Sequence, residues 1–232
     1  MVVARINMKI TGMTPFLEGS VCHIRLGWVN PQDAFSFTTG QFATLSLPGE
    51  EKGAYFAIAS SPEEKEYVEF LVKKTAGISE QLVQLKPGNP VTVEGPLGKG
   101  FPLDQFKGKH LLLIGVGTGI APLRSVFRSI VRRRSDFRYV HLYYGALTPA
   151  HFFYRDEIRE LRKKDIQVIL TATTGDGDWA GRTGFVQAHL EEAIPDPAKS
   201  IAFLVGMKEM VEQTRGELIR LGLKPDQILL NF

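Results

Sequence analysis

The stretch Leu111–Pro122, LLLIGVGTGIAP, decides how the rest of the chain is read. Four apolar residues, Leu111 to Ile114, run into Gly115, Gly117 and Gly119 at alternate positions. Pro122 then introduces Leu123, Val126, Phe127, Ile130 and Val131 at helical spacing. A short apolar run bounded by glycines is the pattern of a buried parallel strand. Glycine lets the backbone turn sharply and admits a ligand with no Cβ in the way. Proline suits the first turn of a helix. The expected product is a strand, a tight turn and a helix N-terminus whose free N–H groups and dipole attract an anion such as a pyrophosphate. The spacing is not the full dinucleotide fingerprint. Ile120 stands where a third glycine is expected, and the lysine and hydroxyl residue of a P-loop are absent. A tight turn with no ligand is the alternative at this point.

Working outward, 232 residues at 44% hydrophobic content can bury a sizeable core. The net charge of +3 is too small to argue for a nucleic-acid partner. Cys22 is the only cysteine, which excludes an internal disulfide, a four-cysteine iron–sulfur cluster or a cysteine-rich zinc site within this chain. The histidines His23, His110, His141, His151 and His189 have no metal-ligand spacing, so no metal is expected. The opening MVVARINMKI lacks a signal-peptide core, and no stretch approaches the roughly 20 apolar residues that span a bilayer. A cytoplasmic location is expected, or an organelle stroma or matrix if a transit peptide has been removed.

Two grammars divide the chain, with the expected boundary at 104/105. The first half offers short strands at Ala4–Ile10, Val21–Trp28, Phe42–Leu47, Tyr55–Ala59, Tyr67–Lys73 and Pro90–Glu94, punctuated by Pro48-Gly49, Pro87-Gly88 and Gly95-Pro96. One helix is expected at Ser79–Leu85, with Ser79 as its N-cap. This predicts an antiparallel six-stranded barrel. The second half alternates apolar strands (Leu111–Ile114, Tyr139–Tyr144, Gln167–Thr171, Ile201–Val205, Ile228–Leu230) with helical segments (Pro122–Arg134, Phe152–Lys163, Phe185–Ala193, Glu209–Leu221). That rhythm predicts a five-stranded parallel doubly wound sheet with helices on both faces. With strand order 3-2-1-4-5, the Gly115–Gly119 turn and the Gly206-Met207 turn face one crevice at the switch point. The lack of a low-complexity linker predicts that the halves pack directly.

An ordered set of segments is more specific than any one of them. These are AYFAIASSP (Ala54–Pro62), GIS (Gly77–Ser79), GPLGKGF (Gly95–Phe101), GVGTGIAPL (Gly115–Leu123), YYGALTP (Tyr143–Pro149), WAGRTG (Trp179–Gly184) and VGMKEM (Val205–Met210). Together they resemble the ferredoxin–NADP reductase superfamily over nearly the whole chain. The resemblance implies a barrel that holds FAD and a second domain that presents NAD(P)H, so that hydride passes from nicotinamide to flavin and electrons go on to a separate acceptor. It implies Phe56 against the flavin ring, where a flat apolar face suits stacking. It further implies contacts from Ala57, Ile58, Ala59, Val72 and Lys73. Gly77, Ile78 and Ser79 are implied at the FAD pyrophosphate, Gly117, Thr118 and Gly119 at the nicotinamide dinucleotide, and Gly206 and Met207 across the crevice. Phe232 is implied as an aromatic lid over the flavin. No catalytic residue is assigned.

Several positions depart from the family pattern. Ala54-Tyr55-Phe56-Ala57 replaces the usual arginine-x-tyrosine-serine, losing the arginine for FAD phosphate and the hydroxyl for flavin N5. Lys52, Lys73 and Lys74 are the available substitutes for that charge. Leu147 stands where many relatives have arginine, Val205 where cysteine is common and Met207 in place of proline. These losses leave open a flavin-binding or nucleotide-sensing partner subunit with little turnover of its own. Asp176 and Asp178, with no basic residue before Arg182, disfavour a 2′-phosphate and favour NADH slightly. Arg128, Arg132, Arg133, Arg134 and Arg138 fit either a dock for an acidic electron carrier or, more plainly, a solvated helix C-terminus.

Overall fold

A computed structural model describes residues 3–194 and 196–231. Strands β1 (Ala4–Phe16), β2 (Val21–Trp28), β3 (Phe42–Ser46), β4 (Ala54–Ala57), β5 (Tyr67–Lys73) and β6 (Pro90–Leu97) form one antiparallel sheet in the order β4-β3-β6-β1-β2-β5. Side chains alternate along it. Ile6, Met8 and Ile10 of β1 are buried between exposed neighbours, and they join Ile24, Leu26, Leu45, Phe70 and Val93 in one interior. The outer strands meet through a bridge between Ile58 and Phe70, and the Ala59 N–H donates to the Glu69 carbonyl at 2.7 Å. The sheet is thereby nearly closed into a barrel. Helix α1 (Ile78–Gln84) contributes Leu82 to that interior.

Strands β7 (His110–Val116), β8 (Val140–Ala146), β9 (Gln167–Ala172), β10 (Arg182–Thr183), β11 (Ser200–Val205) and β12 (Ile228–Leu229) form a parallel sheet in the order β10-β9-β8-β7-β11-β12. The five expected strands take the expected order. The sixth, β10, corrects the count: its two exposed residues pair with Thr171 and Ala172 and carry no apolar signal. Alternate residues of β7 serve two cores. Leu111 and Leu113 meet Leu123, Val126, Phe127 and Ile130 of α2 (Ile120–Arg132) and Ile158 of α3 (Arg155–Leu161). Leu112 and Ile114 meet Met210 and Leu218 of α4 (Lys208–Arg220).

Three helices differ from expectation. Helix α1 is preceded by Gly77 as its N-cap, so Ser79 lies inside the helix and not at its cap. The run over Phe185–Ala193 is a pair of tight 3-10 turns, Val186–Ala193, broken at His189, where φ is −117° and ψ 15°. Helix α3 begins three residues late because Tyr154 sits at φ +56°, outside helical conformation, with its ring buried.

The halves pack directly. Val21, Leu71, Phe101 and Leu103 from the barrel side join the core under α2, and Phe101 stacks on Phe203 of β11 with centroids 4.5 Å apart and rings 13° from parallel. Of the arginines at the end of α2, Arg128, Arg133 and Arg134 are half-buried in ion pairs, whereas Arg132 and Arg138 are exposed. Arg128 pairs with Glu64, its Nε donating at 3.0 Å, and Arg132 also reaches Glu64. Ser129 donates to Glu63 at 2.6 Å, and Arg133 pairs with Asp104 at 2.5 Å. Arg134 pairs with Asp165 at 2.9 Å. Glu63 and Glu64 lie on the barrel loop before β5, so the contacts to them fasten α2 to the barrel, whereas the Arg134–Asp165 pair stays within the second half. Periodicity could not reveal them, because their partners are distant in sequence.

Candidate functional site

The crevice opens beyond the carboxyl ends of β7 and β11, where Gly115 lies opposite Val205. This is the reversal point of the strand order. Gly117–Gly119 form a single tight turn into α2, with Gly117 at φ +54°, the left-handed region that glycine enters without penalty. A Cβ at Gly119 would lie 3.0 Å from the Val205 carbonyl oxygen, and one at Gly206 would lie 2.7 Å from Met210 Sδ. Gly119 therefore packs against the end of β11 at a distance that a side chain would crowd.

Tyr144 props this turn from beneath. Its hydroxyl donates to the Gly117 carbonyl at 3.0 Å and accepts from the Phe153 N–H at 3.2 Å. Burial pushes the phenol pKa up, which keeps it neutral and able to donate. The sequence shows only an apolar strand at Tyr143-Tyr144, so this role was not legible there. Tyr144→Phe removes one donor and strands the Phe153 amide. Loss of about 1–3 kcal/mol is expected, read from urea unfolding.

Between this crevice and the barrel lies a cleft of about 980 Å³. Gly117, Thr118, Gly119, Gly206 and Met207 line one side, and Tyr55, Phe56, Ala57, Leu71 and Lys73 the barrel side. A second cavity of about 580 Å³ shares Tyr55, Phe56, Ala57 and Asn231 with it and adds Phe42, Leu97 and Gly98. Asn231 brings the end of the described chain onto the barrel. Its side-chain amide donates to the Gly40 carbonyl at 3.1 Å, and a Cβ at Gly98 would meet its carbonyl oxygen at 2.6 Å. Phe232 itself lies outside the described residues.

The sequence-assigned residues thus separate into three groups. Phe56, Ala57 and Lys73 converge on the cleft with Gly117, Thr118, Gly119, Gly206 and Met207. Ile58, Ala59 and Val72 are fully buried in or beside the barrel core. Both main-chain polar groups of Ala59 are engaged inside the protein, its carbonyl accepting from Arg124 Nη1 at 3.0 Å. Gly77, Ile78 and Ser79 line neither cavity, and the Ser79 hydroxyl is hydrogen-bonded to Thr75 through its amide at 3.0 Å and its hydroxyl at 2.7 Å. Of the three lysines considered for the missing arginine, Lys74 pairs with Glu80 at 3.4 Å, whereas Lys73 lines the cleft.

The lining suits binding and orientation of planar rings and phosphate. It offers apolar walls, a glycine cradle that a Cβ would fill, one lysine, and the buried Thr171 hydroxyl, which has no hydrogen-bond partner among the described residues. These features fit a flavin and a dinucleotide. Among the described residues no cluster of three or more histidines, cysteines or carboxylates could hold a metal, and no helix is long and apolar enough to cross a membrane.

Known proteins match in the same two parts. Residues 16–101 match the oxidoreductase FAD-binding domain family, and residues 113–216 the oxidoreductase NAD-binding domain family. The chain is 36% identical over 203 residues to ferredoxin–NADP reductase B of Sorangium cellulosum, covering 80% of this chain and 82% of that one. It is 31% identical to the gamma subunit of sulfhydrogenase 1 of Pyrococcus furiosus, covering 86% of this chain and 69% of that subunit. Among solved structures, an Amycolatopsis cytochrome P450 reductase superposes with TM-score 0.86 at 24% identity, over 99% of this chain and 69% of that one. The barrel, the parallel sheet, the cleft between them and these relatives lead to one conclusion: the chain belongs to the ferredoxin–NADP reductase superfamily of flavoprotein oxidoreductases.

Proposed function

We propose that the protein is an NAD(P)H-dependent FAD oxidoreductase that passes hydride from a nicotinamide to FAD and electrons to a separate acceptor. One observation carries this: Phe56-Ala57 of the barrel and the Gly117–Gly119 turn face each other across a single cleft of about 980 Å³. We divide the chain by role at 104/105, with FAD on residues 1–104 and the nicotinamide dinucleotide on 105–232. The matched domain families lie on either side of that point.

FAD, when bound, supplies the atom that accepts hydride and gives up electrons, so the protein's part is binding, orientation and exclusion of water. Phe56 offers an apolar face to the ring, which needs no tyrosine hydroxyl. Lys73 supplies positive charge for phosphate where the arginine is missing. The N–H groups at the start of α2 and the Gly117–Gly119 turn take the dinucleotide phosphate, and the departures at Ala57 and Val205 tune the rate. NADH is favoured. Beyond Thr171 and Thr173 the cleft lining carries no lysine or arginine, and Asp176 and Asp178 follow. The acceptor is a separate molecule. A relative from Rhodococcus jostii, 30% identical, is the reductase component of a propane 2-monooxygenase, and this chain covers 62% of it.

The test is anaerobic addition of NADH or NADPH to the FAD-loaded protein. Bleaching of the yellow colour, faster with NADH, is expected. A protein that takes up no FAD overturns the assignment, and one that stays yellow with both nucleotides is instead the partner subunit with little turnover. Faster bleaching by NADPH overturns only the nucleotide preference.

A further inference from the structure

One buried guanidinium fastens the helix after the glycine turn to the strand segment that faces the cleft. Arg124, on α2 beyond Gly119, is 3% exposed. Its Nε and Nη2 donate to the two carboxylate oxygens of Glu157 at 2.9 and 2.6 Å, a bidentate pair on its own side of the interface. Its Nη1 crosses to the barrel and donates to Glu69 Oε2 at 2.6 Å and to the Ala59 carbonyl at 3.0 Å. Ala59 follows directly on Phe56, Ala57 and Ile58.

The surroundings hold this arrangement in one geometry. The guanidinium lies over the Tyr154 ring, 4.6 Å from its centroid, and Tyr154 keeps the left-handed φ of +56° that places the ring there. The Tyr154 hydroxyl is hydrogen-bonded to His23 Nδ1 at 2.9 Å, and His23 Nε2 lies 3.3 Å from Glu69 Oε1. Arg25 Nε donates to the same oxygen at 2.8 Å. Apolar contacts such as Phe101 on Phe203 already hold the halves together, and a buried ion pair is a costly way to add adhesion. What a planar guanidinium adds is direction, since its fork fixes the angle of each partner as well as its distance.

We propose that Arg124 is a positioning residue for nicotinamide-to-flavin transfer, locking the Phe56–Ala59 segment to the helix behind Gly117–Gly119 and so setting the width of the cleft, a role that rests on the function proposed above. Transfer between two bound rings is sensitive to such a setting, because a displacement of about 1 Å can cost on the order of a hundredfold in rate.

The test compares the FAD-loaded parent with Arg124→Met and Arg124→Lys. In both variants FAD content and the NADH concentration for half-saturation should stay near the parent's. The rate of FAD reduction at saturating NADH should fall by about tenfold or more in Arg124→Met, and less in Arg124→Lys, which keeps the charge without the fork. Hydrogen exchange should quicken at the amides of residues 57–61 and 120–126. If Arg124→Met does not fold, Arg124→Lys alone decides the matter. An unchanged saturating rate in a folded variant overturns the role, as does unchanged exchange, or loss of FAD with the rate intact. A parent that neither nucleotide reduces overturns the proposed function, and this role with it. A reduced parent beside an equally fast variant removes the role of Arg124 alone.

Discussion

Gly119→Val is expected to slow reduction by NADH by about a hundredfold while FAD remains bound. A Cβ at this position would stand 3.0 Å from the Val205 carbonyl oxygen and 3.3 Å from Val205 Cγ1, and valine adds two methyl groups beyond it. The first of these neighbours is backbone of the β11 terminus, which cannot swing aside as a side chain can. The Gly117–Gly119 turn must lift instead, carrying its N–H groups away from the dinucleotide phosphate. A shift of about 1 Å at such a site costs on the order of a hundredfold in rate. The clash falls on Val205 of the parallel sheet and not on a barrel residue, so flavin content should hold. Anaerobic stopped-flow reduction, with FAD measured by absorbance, makes the comparison. Gly216→Ala on α4, where a Cβ meets nothing within 4 Å, is the control and should reduce at the parent's rate. A Gly119→Val protein that is reduced as fast as the parent would remove the glycine turn from the site.

Glu69→Leu is expected to cost about 3–5 kcal/mol, because it leaves the buried Arg124 charge without its partner across the interface. Glu69 is fully buried and accepts hydrogen bonds from Arg124 at 2.6 Å and Arg25 at 2.8 Å. Burial alone would push its carboxyl pKa up. The hydrogen bond from His23, together with the charge and hydrogen bond of Arg124, outweighs that and holds it far below the ordinary carboxylate range. A carboxyl whose pKa is lower in the folded state stabilises the protein above its unfolded value, about 4.3, and that contribution fades as pH falls below it. Glu69→Gln should therefore lose more stability relative to the parent at pH 7 than at pH 3. Urea unfolding at the two pH values reads the difference. An equal gap at both would mean that the Glu69 charge contributes nothing to folding.

The parts of the site that were legible beforehand are those written in local pattern. Gly115, Gly117 and Gly119 after an apolar run give the turn, and the family resemblance of AYFAIASSP points to Phe56 and Ala57. The partners of the arginines at the end of α2 are not written in their spacing, because charge on a helix says nothing about what faces it. Glu64 and Asp104, far back in the chain, are the partners of Arg128 and Arg133, and Glu63 accepts from Ser129. Ser79 shows the opposite limit. Its position suits a phosphate, and the contact that its hydroxyl makes with Thr75 comes from the fold and not from the motif. Tyr144 and Arg124 carried no signal at all, since a tyrosine in an apolar strand and an arginine in a helix are ordinary residues until their neighbours are known.

By itself the sequence determined the barrel, the parallel sheet and its strand order, because hydrophobic period and glycine turns act over a few residues. Only the tertiary structure decided how wide the cleft is and what holds it. Those depend on contacts between Arg124, Glu69, Tyr154 and His23, which come from both halves and meet only when the halves are packed. Burial then gives these few polar contacts their strength, and burial is a property of the folded molecule as a whole.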